Sequence, residues 1–185
     1  MNNSHSSTAL LVVDAQQSFR QRPYWTDAEF VPFRDRLQSL INGCADRKVP
    51  IVQIFHVEDE GVFSLASGHV KTLDGIAITP DFTIQKRMHS ALAGTPLAGW
   101  LTERGVRRVI VTGIRTEQCC ETTTRHASDS GWAVDYVTEA TLTFAMVHPK
   151  TGRTVTPEEI RDRTELVLAD RFARIVTAEQ ALNDL

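Results

Sequence analysis

The sequence predicts an α/β protein, a three-layer α/β/α Rossmann-like sandwich around a six-stranded, mostly parallel sheet. Short apolar runs alternate along the chain with amphipathic segments of helical period, the pattern of strands joined by crossover helices. Runs such as Thr-Ala-Leu-Leu-Val-Val at residues 8–13 are continuous rather than alternating, as in strands covered on both faces. No internal repeat or low-complexity linker divides the 185 residues, so one domain spanning 1–185 is expected.

The polar residues 1–7 are expected to be disordered, and the first strand, 8–13, ends at Asp14. Thr26-Asp27-Ala28-Glu29 has the form of a capping box. In the helix that follows, Leu37, Leu40, Ile41 and Cys44 keep helical spacing and make a core stripe. Residues 50–55 form the second strand. From 58 to 80 the periodicity is weak and glycines recur, so the reading is a loop with room for one short helix. Phe82-Thr83-Ile84-Gln85 is a short third strand ending at Lys86. A helix over 96–104 stops at Gly105, residues 106–112 form the fourth strand, and 132–137 the fifth. The stretch 141–155, with His148-Pro149 and Gly152, reads as a long surface connection. In Thr156-Pro157-Glu158-Glu159, threonine takes the cap, proline the first helical position and glutamate the third, so a helix runs to about 169. Residues 172–176 form the sixth strand, and Thr177-Ala178-Glu179-Gln180 opens a last short helix.

The composition is 42% apolar and 23% charged with a net charge of −3, which gives no reason to expect nucleic acid or an anionic membrane as partner. The first nine residues lack the basic and apolar regions of a signal peptide, and no apolar run approaches the roughly 20 residues that span a bilayer. Three cysteines, two of them adjacent, do not make a disulfide framework. A reducing cytoplasm is therefore expected.

Chemistry concentrates where strands end. The run Val109-Ile110-Val111-Thr112 breaks at Gly113, crosses a polar turn and restarts as a helix that ends near Gly131, placing Cys119 at the helix start. Unpaired N–H groups and the positive dipole end there favour a thiolate over a thiol. Asp14 and Lys86 also lie just past strand ends. In a parallel sheet these ends share one edge, where open α/β folds bind ligands. Singly, each residue has an ordinary reading: a helix cap, a solvated charge, a small core residue. Together they form a nucleophile with a base and a positioning charge.

Three motifs extend this reading. Asp14-Ala15-Gln16-Gln17-Ser18-Phe19 resembles the D-x-Q-x-x-F signature of the isochorismatase-like cysteine hydrolases. Lys86-Arg87-Met88-His89-Ser90-Ala91-Leu92 is similar to their K-x-x-x-S-A-F. Thr112-Gly113-Ile114-Arg115-Thr116-Glu117-Gln118-Cys119 is similar to T-G-x-x-T-[DE]-x-C. All three agree in order and spacing. The resemblance implies the strand order 3-2-1-4-5-6 and a catalytic Asp14, Lys86 and Cys119. It further implies amide hydrolysis through a thioester: Asp14 takes the thiol proton, returns a proton to the departing amine and activates water for the second half, while Lys86 holds Asp14 ionised and stabilises the thiolate. Backbone N–H groups of Arg115 and Cys119 would form the oxyanion hole, and the Ile114–Arg115 peptide would be cis.

Arg115 departs from the small or apolar residue expected there. Its side chain either points away or lines the pocket mouth and selects anionic substrates. Gln16, Phe19, Tyr24, Trp25 and Phe63 are candidates for the pocket wall. Related nicotinamidases bind a metal through a D-x-H cluster after the second strand. Here that region reads Phe55-His56-Val57-Glu58-Asp59-Glu60, with His69 further on, so neither a metal nor another cofactor is expected. Isochorismatases proper cleave a vinyl ether without this cysteine, so Cys119 favours an amidase on a small-molecule substrate. The other reading open is a thiol redox or binding protein in which Cys119 and Cys120 oxidise reversibly. A homo-oligomer, dimer or tetramer, is expected.

Overall fold

The computed structural model describes residues 6–185. Strands β1 (Thr8–Val13), β2 (Ile51–His56), β3 (Phe82–Lys86), β4 (Arg108–Ile114) and β5 (Ala133–Leu142) all run parallel. Beyond them lie a hairpin, β6 (Met146–Val147) with β7 (Thr154–Val155), and a final parallel strand, β8 (Arg174–Ile175). The sheet order is β3-β2-β1-β4-β5-β8. This is the expected 3-2-1-4-5-6, with the sixth sheet strand numbered β8 after the hairpin.

Every residue of β1 is buried, which explains its unbroken apolar run. Leu10 and Val12 enter one core with Phe33, Leu37 and Leu40 of α1 (Asp27–Asp46) and Ala178 of α5 (Ala178–Asn183). Ala9, Leu11 and Val13 enter the other with Leu97 and Leu101 of α2 (Leu97–Glu103), Ala127 of α3 (Glu121–Asp129) and Leu168 of α4 (Pro157–Leu168). Two cores divided by one sheet make the three layers. The capping boxes at Thr156 and Thr177 close as their sequences require. At Thr26 only half forms: the threonine hydroxyl accepts from Ala28 N–H, while Glu29 turns away to pair with Arg161.

Several expectations need correction. Ser6 and Ser7 are placed: Ser6 Oγ accepts from Thr8 N–H, and Ser7 carbonyl accepts from Arg107 and Arg108. The expectation for residues 1–5 lies outside the described residues. β4 continues through Gly113 to Ile114. The loop over 58–80 carries two short 3₁₀ turns, Gly61–Phe63 and Leu65–Ser67, rather than one helix. The sixth sheet strand is only two residues long. The largest correction is at 141–144. β5 runs five residues past its expected end, and Thr141, Leu142, Thr143 and Phe144 are buried rather than on the surface. A bulge opposite Val111–Gly113 lets β5 continue, since Tyr136 pairs with Val111 but Thr141 with Gly113. The alternation of Ala140, Leu142 and Phe144 was the signal for it.

Candidate active site

β1, β3 and β4 deliver three polar side chains to one point at the carboxyl edge of the sheet. Asp14 follows β1 with a left-handed backbone (φ 51°), which turns the chain sharply as it leaves the sheet. Gly113 sits beside it at φ 121°, where a Cβ would lie 1.9 Å from the Val13 carbonyl oxygen, so only glycine lets β4 pass this close to β1. The Ile114–Arg115 peptide is cis. The chain then makes a π-type turn, Thr116–Cys120, before α3, and Cys119 falls in that turn.

The turn is secured from β5. Tyr136 hydroxyl donates to the Thr116 carbonyl (2.8 Å), Thr116 and Thr141 hydroxyls meet at 2.7 Å, and Thr143 donates to Glu117 (2.6 Å). The segment after Lys86 is tied to α3: Ala91 N–H donates to Thr123 and Ser90 Oγ meets His126 Nδ1 at 2.8 Å. These bonds join the segment after Lys86 to the helix that follows Cys119.

Lys86 does reach across the intervening strand. Its Nζ lies 2.8 Å from Asp14 Oδ2, 3.4 Å from Cys119 Sγ, 3.1 Å from the Met88 carbonyl and 3.3 Å from His56 Nδ1. The Asp14 and Lys86 side chains have no solvent exposure. Neither Asp14 oxygen has an aligned hydrogen bond despite the short contact. Lys86 therefore holds Asp14 by charge and leaves it lone pairs for a proton.

Burial governs the protonation states. It pushes the Cys119 thiol up to about 12, with the Asp14 charge adding to the effect and Lys86 offsetting part of it. It also raises the Asp14 carboxyl, against the opposing pull of Lys86. For Lys86, burial alone would lower the value, but the charges of Asp14 and Cys119 outweigh it and hold the ammonium charged. Desolvation thus opposes the thiolate that the helix start was expected to favour, and holds the proton on sulfur. Losing that proton to solvent at pH 7 would cost on the order of 7 kcal/mol. Passing it to Asp14 leaves the net charge of the trio unchanged, and Lys86 then faces the thiolate instead of the carboxylate.

The remaining candidates fall around this centre. Arg115 points away from Lys86: its guanidinium lies over Tyr24 (5.1 Å) and Phe144 (5.6 Å), donates to the Phe144 carbonyl and pairs with Glu117 at 3.2 Å. Its charge is thereby neutralised. Trp25 packs on Phe30 and Phe144 in the same cluster. Phe19 and Phe63 meet edge to face at 5.0 Å, and Phe63 lies 5.9 Å from the His56 ring. Gln16 is fully buried: its Oε1 accepts from His56 N–H (2.7 Å) and its Nε2 donates to the His56 carbonyl (3.1 Å) and to Ser18. Cys120 is wholly buried, and its thiol is raised by burial. Among the described residues no group of three or more His, Cys, Asp or Glu is placed to hold a metal. Sequence reading assigned no chemistry to His56 beyond a possible metal ligand. Its place two residues before Glu58 at a strand end was the available signal.

Three comparisons bear on this arrangement. The family model for the isochorismatase domain matches residues 8–180. Nicotinamidase 3 of Arabidopsis thaliana is 28% identical over 96% of this chain and 88% of that one. YrdC, an uncharacterized isochorismatase family protein of Bacillus subtilis, is 27% identical over 95% of each. A cysteine hydrolase from Pseudomonas syringae superposes with a TM-score of 0.86 at 21% identity, covering 96% of this chain and 91% of that one. An isochorismatase from Pseudomonas putida gives 0.84 at 24%, over 96% and 90%. These structural likenesses establish the shared fold.

Proposed function

The chain belongs to the isochorismatase family of hydrolases, and we propose that it cleaves the C–N bond of a small amide-type substrate through a thioester on Cys119. The observation that carries this reading is a single buried ammonium, Lys86, in contact with both the Asp14 carboxylate and the Cys119 sulfur. Vinyl-ether cleavage can proceed by protonating a carbon, so it requires an acid but no nucleophile. Amide hydrolysis has a poor leaving group and gains from division into thiolate attack and thioester hydrolysis. A thiol beside a buried base suits the second chemistry. The relative named a nicotinamidase stands on the same side of this choice.

In this reading Asp14 takes the thiol proton as Cys119 attacks the carbonyl carbon, and Lys86 stabilises the sulfur while its charge forms. Backbone N–H groups of Arg115 and Cys119 receive the oxyanion, at roughly 3 kcal/mol per donor. Asp14 then returns the proton to the departing nitrogen. A raised carboxyl pKa suits both duties, since it makes Asp14 a better base before the step and a ready acid during it. Phe19 and Phe63 on one side, and Trp25 near Arg115 on the other, form the proposed pocket walls, with Gln16 shaping them through His56. With Arg115 already paired to Glu117, the proposed substrate need not be anionic. The same reading takes the enzyme as a cytoplasmic, single-domain homo-oligomer, for which sedimentation is the check.

The test is a panel of amides, ureides and carbamoyl compounds set beside isochorismate. The expected result is ammonia or amine release from at least one C–N compound, abolished in Cys119→Ala. Turnover of isochorismate alone, undiminished in Cys119→Ala, would overturn the proposal.

A further inference from the structure

We infer that the Arg115 side chain, paired with Glu117, is a positioning residue that holds the turn before α3 so that the Arg115 and Cys119 N–H groups face the oxyanion. This rests on the thioester reading above. It gives a role to a side chain that departs from the motif of its turn.

The turn closes on the Arg115 backbone. Arg115 stands between the last residue of β4, Ile114, and the turn Thr116–Cys120, and its carbonyl accepts from both Gln118 N–H (3.1 Å) and Cys120 N–H (3.2 Å). A rotation of this one residue would therefore shift its own N–H against that of Cys119, and the two proposed donors would no longer converge.

The side chain opposes that rotation through three anchors. The guanidinium donates to the Phe144 carbonyl at 3.3 Å, its Nε lies 3.2 Å from Glu117 Oε1, and its plane sits over the Tyr24 and Phe144 rings. Glu117 continues the strap, since its Oε2 accepts from Thr143 at 2.6 Å. Thr143 and Phe144 thus hold both ends of the ion pair from just past the end of β5, which gives the burial of that segment a purpose.

Charge sets the contact. The Arg115 and Glu117 side chains are 10% and 12% exposed, and neither Arg115 Nε nor Glu117 Oε1 has an aligned hydrogen bond. Removing either partner leaves the other charge buried and unpaired, which drives the turn to rearrange. Lysine could meet Glu117 but could not also reach the Phe144 carbonyl and lie flat over two rings. The guanidinium points away from Lys86, so it acts on the reaction only through the backbone.

The experiment compares two reactions of Cys119 in the full chain. Acyl transfer from p-nitrophenyl acetate passes through an oxyanion, whereas alkylation by iodoacetamide displaces iodide at a saturated carbon and forms none. Arg115→Ala should slow the p-nitrophenolate burst roughly 50-fold while iodoacetamide labelling stays within about threefold of wild type. Millimolar guanidinium chloride should restore much of the burst in Arg115→Ala by refilling the space between Tyr24, Phe144 and Glu117, and methylammonium should restore less. Arg115→Lys should fall between wild type and Arg115→Ala, and it carries the same comparison if the alanine variant does not fold. Glu117→Gln should also slow the burst, and the double variant should lose no more than the worse single one, since no unpaired charge remains. An unchanged burst in Arg115→Ala and Arg115→Lys overturns the proposal, as does equal loss of burst and labelling without guanidinium rescue. Absence of a burst in wild type, with Cys119 unmodified, overturns the thioester reading and this proposal with it.

Discussion

Two buried aspartates at opposite edges of the sheet contrast a carboxylate proposed to work with one that is structural. Asp135, near the start of β5, is 2% exposed, and both its oxygens are taken by Arg174, at 2.8 and 3.0 Å, with Arg108 at 3.7 Å. Asp14, at the end of β1, is equally hidden but has one cation and no aligned hydrogen bond. The first has its acceptor capacity filled and joins β5 to β8. The second has capacity left over, a carboxyl raised by burial, and a thiol beside it. What sets Asp14 apart is the combination of burial, unfilled hydrogen-bonding capacity and a neighbouring thiol.

Substitutions can break this contrast. The largest effect expected is at Cys119: Cys119→Ala should lose all turnover while Cys120→Ser keeps most of it, read as product formed per folded enzyme. Asp14→Asn should lower kcat by several orders of magnitude and remain folded by circular dichroism, because shape is kept while the base is lost. Asp135→Asn should do the reverse. It should reduce stability by about 2 kcal/mol in urea unfolding yet leave kcat near wild type, as Arg174 loses a buried partner.

How much of this was legible in the sequence follows the same division. Strand ends and three motifs located Asp14, Lys86 and Cys119, because period and local punctuation are short-range properties. Capping at Thr156 and Thr177 was readable for the same reason. The reach of Lys86 past β2 was not, since that distance depends on sheet twist and side-chain length. Nor was the thiol state of Cys119, which desolvation sets and no neighbouring residue in the chain reveals. The burial of 141–144 was signalled by alternation but masked by the polar residues that follow. Gln16 belongs to a motif, yet its partner is 40 residues away at His56, so its clamping role could not be read locally.

Smaller effects sharpen the charge assignments through their signs. Asp14 raises the Cys119 pKa and Lys86 lowers it. Iodoacetamide labelling of Cys119 in the resting enzyme should therefore keep rising through pH 10, since the thiol titrates at about 12. Asp14→Asn should shift that profile to lower pH although the variant is inactive, and Lys86→Met should shift it higher. Shifts in the same direction would contradict the placement of these charges. The least change is expected from EDTA and dialysis, which should leave turnover intact.

The most direct test of the central claim is intact-mass spectrometry after rapid quench, with whichever amide the wild-type enzyme turns over. The account predicts a mass increase equal to the acyl group, mapped to Cys119, formed within one turnover and absent in Cys119→Ala and Asp14→Asn. Turnover of that amide with no adduct at any quench time, or an adduct on another residue, would contradict it.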